Sequence, residues 1–518
     1  MPTITLSLVS HTNVGKTTLA RTLLGQDIGE VRDAPHVTEF AAMHELLRSP
    51  QGDVLRLWDT PGFGDSARLV KRLRGRSNPL GWFMAELWDR WTDRAFWASQ
   101  RALQHVQADS DVLLYLVNAA EQPAAAGYVA AEMELLDWVG KPVLVLLNQL
   151  GAPREAAAEA ADVELWRQHL ARWPQVRAVL PMDAFARCWV HELTLMQAVQ
   201  AALSSPAGTD SASATQGPAG ASSPAATMAR LAAAWQAERE ATFAAAMQAL
   251  ATSLARTACL HEAVQDTSGW SERLRRLGAA LGQAVTGSDA ADATDASDQG
   301  RDPTAAAQQR LATQAEAELR AGTAALLQLH RLQGSAQAEI LNRVATQFAV
   351  RQRVPEGRSA VLGGALTGAL AGLKADVLSG GLTMGGGLLA GGLIGALGAA
   401  GLARGINVVR GTGSSWVRFT DEALNDAAQA ALLRYLAVAH FGRGRGDWAP
   451  GEAPAHWPAL VAEALAHEQA ALTAAWALRA SRPDAASDAT ALAAALQTPL
   501  QTAARAVLAR LYPHPASG

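Results

Sequence analysis

The chain has 518 residues, is 49% hydrophobic but only 5% aromatic, and carries a formal net charge of -4. That charge gives no global electrostatic case for nucleic-acid binding. Two cysteines, Cys188 and Cys259, exclude a disulfide framework or a cysteine-based metal cluster and suit a reducing compartment.

The N-terminus, "MPTITLSLVSHTNVGKT", lacks the basic start and long apolar run of a signal peptide. It reads as a strand entering a loop. Residues 3–203 alternate short apolar runs with helical patterns. The strand candidates are 4–9, 54–59, 112–117, 143–148 and 176–181. Strands alternating with helices predict an α/β domain over 1–203, a mostly parallel sheet with helices on both faces.

The first loop, "SHTNVGKT" (10–17), is one residue away from the phosphate-loop pattern, with Ser10 in place of the first glycine. A strand–loop–helix corner of this kind presents backbone N–H groups and a helix N-terminus to phosphates. Val14, Gly15, Lys16, Thr17 and Thr18 then line the phosphate site, Lys16 reaching the β- and γ-phosphates and Thr17 a Mg²⁺ ion. "WDTPGFGD" (58–65) closes the second strand and offers Asp59 to the metal and Gly62 to the γ-phosphate. "PHVTEF" (35–40) lies between the two motifs and offers Thr38 as a switch threonine and further metal ligand. "LNQLG" (147–151) and "PMDAF" (181–185) end two later strands and offer Asn148, Gln149, Asp183 and Ala184 to a base. Ligands of such sheets bind beyond the strands' carboxyl ends.

These motifs, "SHTNVGKTTLARTLLGQDIGEVRDAPHVT" with "WDTPGFGDS", resemble the translation-factor-related (TRAFAC class) P-loop GTPases of the Era and TrmE type. The whole chain is similar to a bacterial group that joins such a domain to a C-terminal domain of unknown function. The resemblance implies GTP and GDP as ligands, Mg²⁺ as cofactor and slow GTP hydrolysis. Two departures qualify it. The family reads guanine with Asn-Lys-x-Asp, whereas this chain has Asn148-Gln149-Leu150-Gly151. Ras-like proteins place a water-orienting glutamine after the Asp-x-x-Gly motif, where this chain has Phe63. Asn13 stands where TrmE- and dynamin-like proteins carry an asparagine that helps bind K⁺. It either recruits such a cation to the developing charge or only caps the loop. Lys16, Thr38, Asn13 and Gly62 are thus the expected catalytic group. The alternatives are a nucleotide-gated scaffold with little hydrolysis and a ribosome-assembly role of the Era type.

Between Asp59 and the next strand lies a long insert. Arg68, Lys71, Arg72, Arg74 and Arg76 form a basic run, followed by Phe83, Leu87 and Trp91 at helical spacing. The aromatic face either packs on the helical C-terminal region or serves a switch-coupled arm touching lipid or a partner.

Residues 204–224 are a Ser/Pro/Gly-rich flexible linker. Beyond it no strand is expected, and the C-terminal region reads as all-α. It comprises a helical region at 225–353 containing an acidic, disordered loop at 286–303, a Gly-rich apolar hairpin at 359–403 and further helices in 404–518. Gly364, Gly368 and Gly372, then Gly387, Gly391 and Gly395, fall at four-residue intervals, the small-xxx-small spacing of close helix contacts in membranes. The hairpin reads either as membrane-inserted or as a tightly packed soluble pair. The membrane reading makes the chain a switch or dynamin-like element, cytoplasmic and held at the inner face of the cell membrane, with self-association open and no nucleic-acid module evident.

Overall fold

A computed structural model describes residues 2–12, 14–25, 42–63, 66–74, 76–79, 81, 94–150, 156–184, 188–204, 223–264, 303–332, 406–410, 415–440, 454, 456–479 and 488–512. Asn13, Thr38, Phe83, Leu87, Trp91, Gly151, the 286–302 loop and the 359–403 hairpin lie outside the described residues.

The N-terminal part is one six-stranded sheet. In chain order it contains β1 (Thr3–Ser10), α1 (Lys16–Leu24), β2 (Ala42–Arg48), β3 (Val54–Asp59), α2 (Ser66–Leu73), α3 (Arg94–Asp109), β4 (Val112–Asn118), α4 (Gly127–Val139), β5 (Val143–Asn148), α5 (Ala156–Leu170), β6 (Val176–Pro181) and α6 (Trp189–Ser204). The strand order is β2-β3-β1-β4-β5-β6. All neighbours are parallel except the edge pair β2–β3.

Alternation along the interior strands sorts the core into two layers. Leu113, Tyr115 and Val117 face one side with α2 to α5, while Val112, Leu114 and Leu116 face the other with α1 and α6. A sheet covered on both faces explains why β4 and β5 are continuous apolar runs. The five strands read from the sequence are all present. The sixth, β2, was not foreseen, because "AMHELLR" is rich in helix formers. It sits at the sheet edge with a register shift between Glu45 and Leu47, and pairs with β3 through a turn at Gly52, whose φ is +87°.

The C-terminal region is helical, with α7 (Pro224–Cys259), α8 (Pro303–Leu329), α9 (Asp421–Ala439), α10 (Trp457–His467), α11 (Gln469–Trp476) and α12 (Ala489–Leu511). One expectation fails: strands do follow the linker. β7 (His261–Val264), β8 (Ile406–Arg410) and β9 (Ser415–Phe419) form a three-stranded antiparallel sheet in the order β7-β9-β8. The signal was present in the β-branched and aromatic content of "INVVR" and "SWVRF", separated by a glycine-containing turn sequence. The abundance of alanine on either side masked it.

Helix α7 begins where the sequence says it should. Ser223 caps it by accepting from the Ala226 N–H, and Pro224 occupies the first turn. Its first half buries Met228, Leu231 and Trp235 in the layer of the N-terminal sheet that contains α1 and α6. Its second half buries Phe243, Met247, Leu250 and Leu254 in the C-terminal core. One helix is thus part of two cores.

Among the described residues no helix is long and apolar enough to cross a membrane. The basic run on α2 is amphipathic. Leu69, Val70 and Leu73 are buried while Arg68, Lys71, Arg72 and Arg74 face solvent, and Arg74 forms an ion pair with Glu134 of α4 at 2.7 Å.

Candidate nucleotide site

The ends of β1, β3 and β5 and the chain beyond β6 bring most of the sequence candidates together. Gly15 holds φ at +91°, a left-handed conformation that favours glycine, and a Cβ there would stand 2.7 Å from Asn148 Nδ2. That position therefore needs glycine for two reasons, backbone and space.

Lys16 is buried, and its Nζ donates to Ser10 Oγ at 3.0 Å. Burial pulls its pKa below the ordinary lysine value, opposed by the charges of Asp59 and Glu132. Ser10 lies in β1, where the backbone is extended, and its side chain also donates to the His11 carbonyl. The missing first glycine is thus accommodated without strain and supplies a partner for the lysine.

Thr17 Oγ1 donates to Asp59 Oδ2 at 2.6 Å. The other oxygen, Asp59 Oδ1, is buried with no hydrogen-bond partner among the described residues. Burial raises the Asp59 pKa, against the Thr17 hydrogen bond and the Lys16 charge. A buried carboxylate oxygen left unsatisfied beside a hydroxyl fits a hard divalent cation. Gly62 closes over the same point, since a Cβ there would lie 3.1 Å from both Lys16 Nζ and the Thr12 backbone.

Asn148 is fully buried and ties three loops together. Its Nδ2 donates to the Val14 carbonyl at 2.7 Å, and its Oδ1 accepts from the Ala184 N–H at 2.9 Å. Its own carbonyl accepts from the Ala119 N–H at 2.7 Å. Thr22 of α1 donates to the Ala184 carbonyl at 2.9 Å. Gln149 follows at φ +59°, a left-handed turn residue that re-aims the chain. Asp183 Oδ2 accepts from the Leu150 N–H at 2.8 Å. Thr18 is buried on the first turn of α1.

Phe63 is 1% exposed and packs in the layer with Leu69, Val70 and Leu73. Its backbone N–H donates to the Ser10 carbonyl at 2.9 Å, and it bridges to His11 in parallel. The side chain is committed to the core.

Sequence reasoning missed one feature. Glu132 of α4 is fully buried and collects three donors: His11 Nδ1 at 2.8 Å, Tyr115 OH at 2.7 Å and Ser66 Oγ at 3.3 Å. His11 also stacks on Tyr128, with ring centroids 4.7 Å apart. A carboxylate inside an otherwise apolar helix face was the only sequence signal.

These features define a P-loop GTPase domain. Residues 5–149 match the family model described as 50S ribosome-binding GTPase. No curated protein matches the chain. Among solved structures, Era in complex with MgGDPNP and a 16S ribosomal RNA segment is 18% identical, covering 38% of this chain and 56% of that one at a TM-score of 0.29. An Aquifex aeolicus Era variant bound to GDP and AlF4⁻ is 19% identical with the same coverage and a TM-score of 0.28. A structure described by the importance of dimerization for the GTPase activity of chloroplast translocon components is 15% identical, covers 40% of this chain and 85% of that one, and has a TM-score of 0.25. The chain thus spans about half the length of the Era structures it matches.

Proposed function

We propose that the protein is a Mg²⁺-dependent GTPase that acts as a switch, and that segment 359–403 brings it to a membrane. The observation that carries the first half is the convergence of Lys16, Thr17, Asp59 and Gly62, with Asp59 Oδ1 buried and unpartnered beside the Thr17 hydroxyl. In this reading the backbone of Val14 to Thr18 cradles the phosphates and Lys16 holds the β- and γ-oxygens. Thr17, Asp59 and Thr38 hold the metal, which when bound neutralises charge on the transferred phosphoryl group. Gly62 and Thr38 sense the γ-phosphate. Asn148, Gln149, Asp183 and Ala184 form the base end, Asn148 as the strut between loops. Asn13 would hold a K⁺ ion, which would supply positive charge near the developing phosphoryl charge where Phe63 offers no water-orienting amide.

A second reading has its own support. Phe63 is locked in the core, and no glutamine follows Gly62. A nucleotide-gated scaffold with little turnover would need nothing more.

Single-turnover phosphate release from the full chain, measured in K⁺ and in Na⁺ with and without anionic vesicles, separates the two. The GTPase reading expects release that is faster in K⁺, and vesicle co-sedimentation that disappears when 359–403 is deleted. Equal rates in both cations sink the potassium role. No release under any condition leaves the scaffold, and vesicle binding that survives the deletion removes the membrane role of the hairpin.

A further inference from the structure

The loop at 10–17 and the chain around Gly62 both close on Lys16. Lys16 Nζ donates to Ser10 Oγ at 3.0 Å, and a Cβ at Gly62 would stand 3.1 Å from that Nζ and from the Thr12 backbone. The two segments are joined directly at one point, where the Phe63 N–H donates to the Ser10 carbonyl at 2.9 Å. They are joined a second time through α4. Glu132 Oε1 accepts from His11 Nδ1 at 2.8 Å, and from the Oγ of Ser66, the first residue of α2, at 3.3 Å. Its other oxygen, Oε2, accepts from Tyr115 OH of β4 at 2.7 Å.

Glu132 is fully buried. A carboxylate in that position is costly unless donors meet it. Tyr115 ties it to the sheet. The other two donors come one from each segment that flanks Lys16, and they share a single oxygen atom. A shift of either segment stretches a charge-assisted bond at a depth where water does not replace it. We infer that Glu132 is a positioning residue for the terminal phosphate of a bound nucleotide. By holding His11 and Ser66 on one oxygen, it sets the gap in which that phosphate lies against Lys16. The inference rests on the proposal that a nucleoside triphosphate occupies the phosphate loop. The inner phosphates lie along the backbone of Val14 to Thr18 and the start of α1, which Glu132 does not bond. Loosening the link therefore weakens the hold on a triphosphate and spares a diphosphate.

The test is the ratio of the dissociation constants for GDP and for the non-hydrolysable analogue GDPNP, measured on the full chain with Mg²⁺. His11→Ala and Ser66→Ala each cut one bond to Oε1 and keep the charge of the carboxylate. Each should weaken GDPNP binding by about 3- to 10-fold and leave GDP within about 2-fold of wild type. Tyr115→Phe cuts the bond to the sheet, leaves both segments on Oε1, and should not move the ratio. In Glu132→Gln the amide oxygen still accepts from His11 and Ser66, while the Tyr115 hydroxyl accepts from the amide nitrogen. E132Q should hold the ratio within about 2-fold of wild type, which a role through charge would not. A ratio unchanged in either folded H11A or folded S66A, or lowered as far in Y115F or E132Q, overturns the inference. Failure of wild type to bind either nucleotide, or binding undiminished in Lys16→Ala, overturns the nucleotide-site proposal instead.

Discussion

Phe63 and Ser10 stand where the resembled family has glutamine and glycine, and they differ in consequence. Ser10 is absorbed, because its extended backbone needs no glycine and its hydroxyl meets Lys16. Phe63 is structural, packed between the sheet and α2. Phe63→Gln is therefore expected to destabilise the G domain by about 3 kcal/mol or more, by cavity formation and burial of an amide, and not to accelerate hydrolysis. Thermal melting and single-turnover rates check both halves, and a faster rate at unchanged Tm would refute the assignment. At this scale the sequence was informative for chemistry-bearing residues, since Gly15, Lys16, Thr17, Asp59 and Asn148 do meet. It was silent on side-chain use. Nothing in "LNQLG" reveals that Asn148 ties Val14 to Ala184, because that depends on loops 134 and 36 residues away.

Among the elements, α4 holds the least expected device. Its Glu132 joins the phosphate loop through His11, the start of α2 through Ser66, and the sheet through Tyr115. Removing the carboxylate leaves three donors without their acceptor, each costing about 1–3 kcal/mol where it stays buried. Glu132→Ala should thus lower stability by several kcal/mol. Tyr115→Phe should cost about 1 kcal/mol alone and little more on top of Glu132→Ala. Additive losses in denaturant titrations would show that the two do not act as one network. Five strands were legible because buried parallel strands are uninterrupted apolar runs. β2, β7, β8 and β9 were not: β2 is rich in helix formers, the short β7 pairs with the remote β9, and the composition of β8 and β9 was masked by the alanine-rich sequence around them. The aromatic stripe at 83–91 and the glycine-rich hairpin lie outside the described residues and stay with the sequence reading.

For the molecule as a whole, α7 is the connection that matters. Its first half belongs to the G domain, fastened by Arg230 to Asp53 at 2.6 Å and by Trp235 and Arg239 to Glu192 at 2.9 and 2.7 Å. The Arg230 hydrogen bond holds the Asp53 carboxyl below the usual carboxylate range. That contribution is present above the ordinary aspartate pKa and is lost as pH falls through the lowered one. The C-terminal core has the opposite chemistry. Burial depresses His330 and His440 to about 4, with His440 packed against Trp457 and Tyr512. The unfolded chain takes up those protons first, so stability falls as pH drops from about 6.5 toward 4. For His440 the loss is on the order of 3 kcal/mol. His440→Phe should flatten the pH dependence of Tm across that window. A pH profile with the same slope as wild type would contradict the assignment. The sequence marked the linker before α7 but could not show that one helix serves two cores, because its alanine-rich surface reads alike along its length.

Everything above depends on the strand-end motifs forming one guanine nucleotide site. Titration of the purified chain with a fluorescent GTP analogue in Mg²⁺, beside Lys16→Ala, is the decisive measurement. Such a site gives saturable binding that unlabelled GTP displaces and ATP does not, and that Lys16→Ala abolishes. Absence of binding in wild type, or equal binding in the variant, would contradict it.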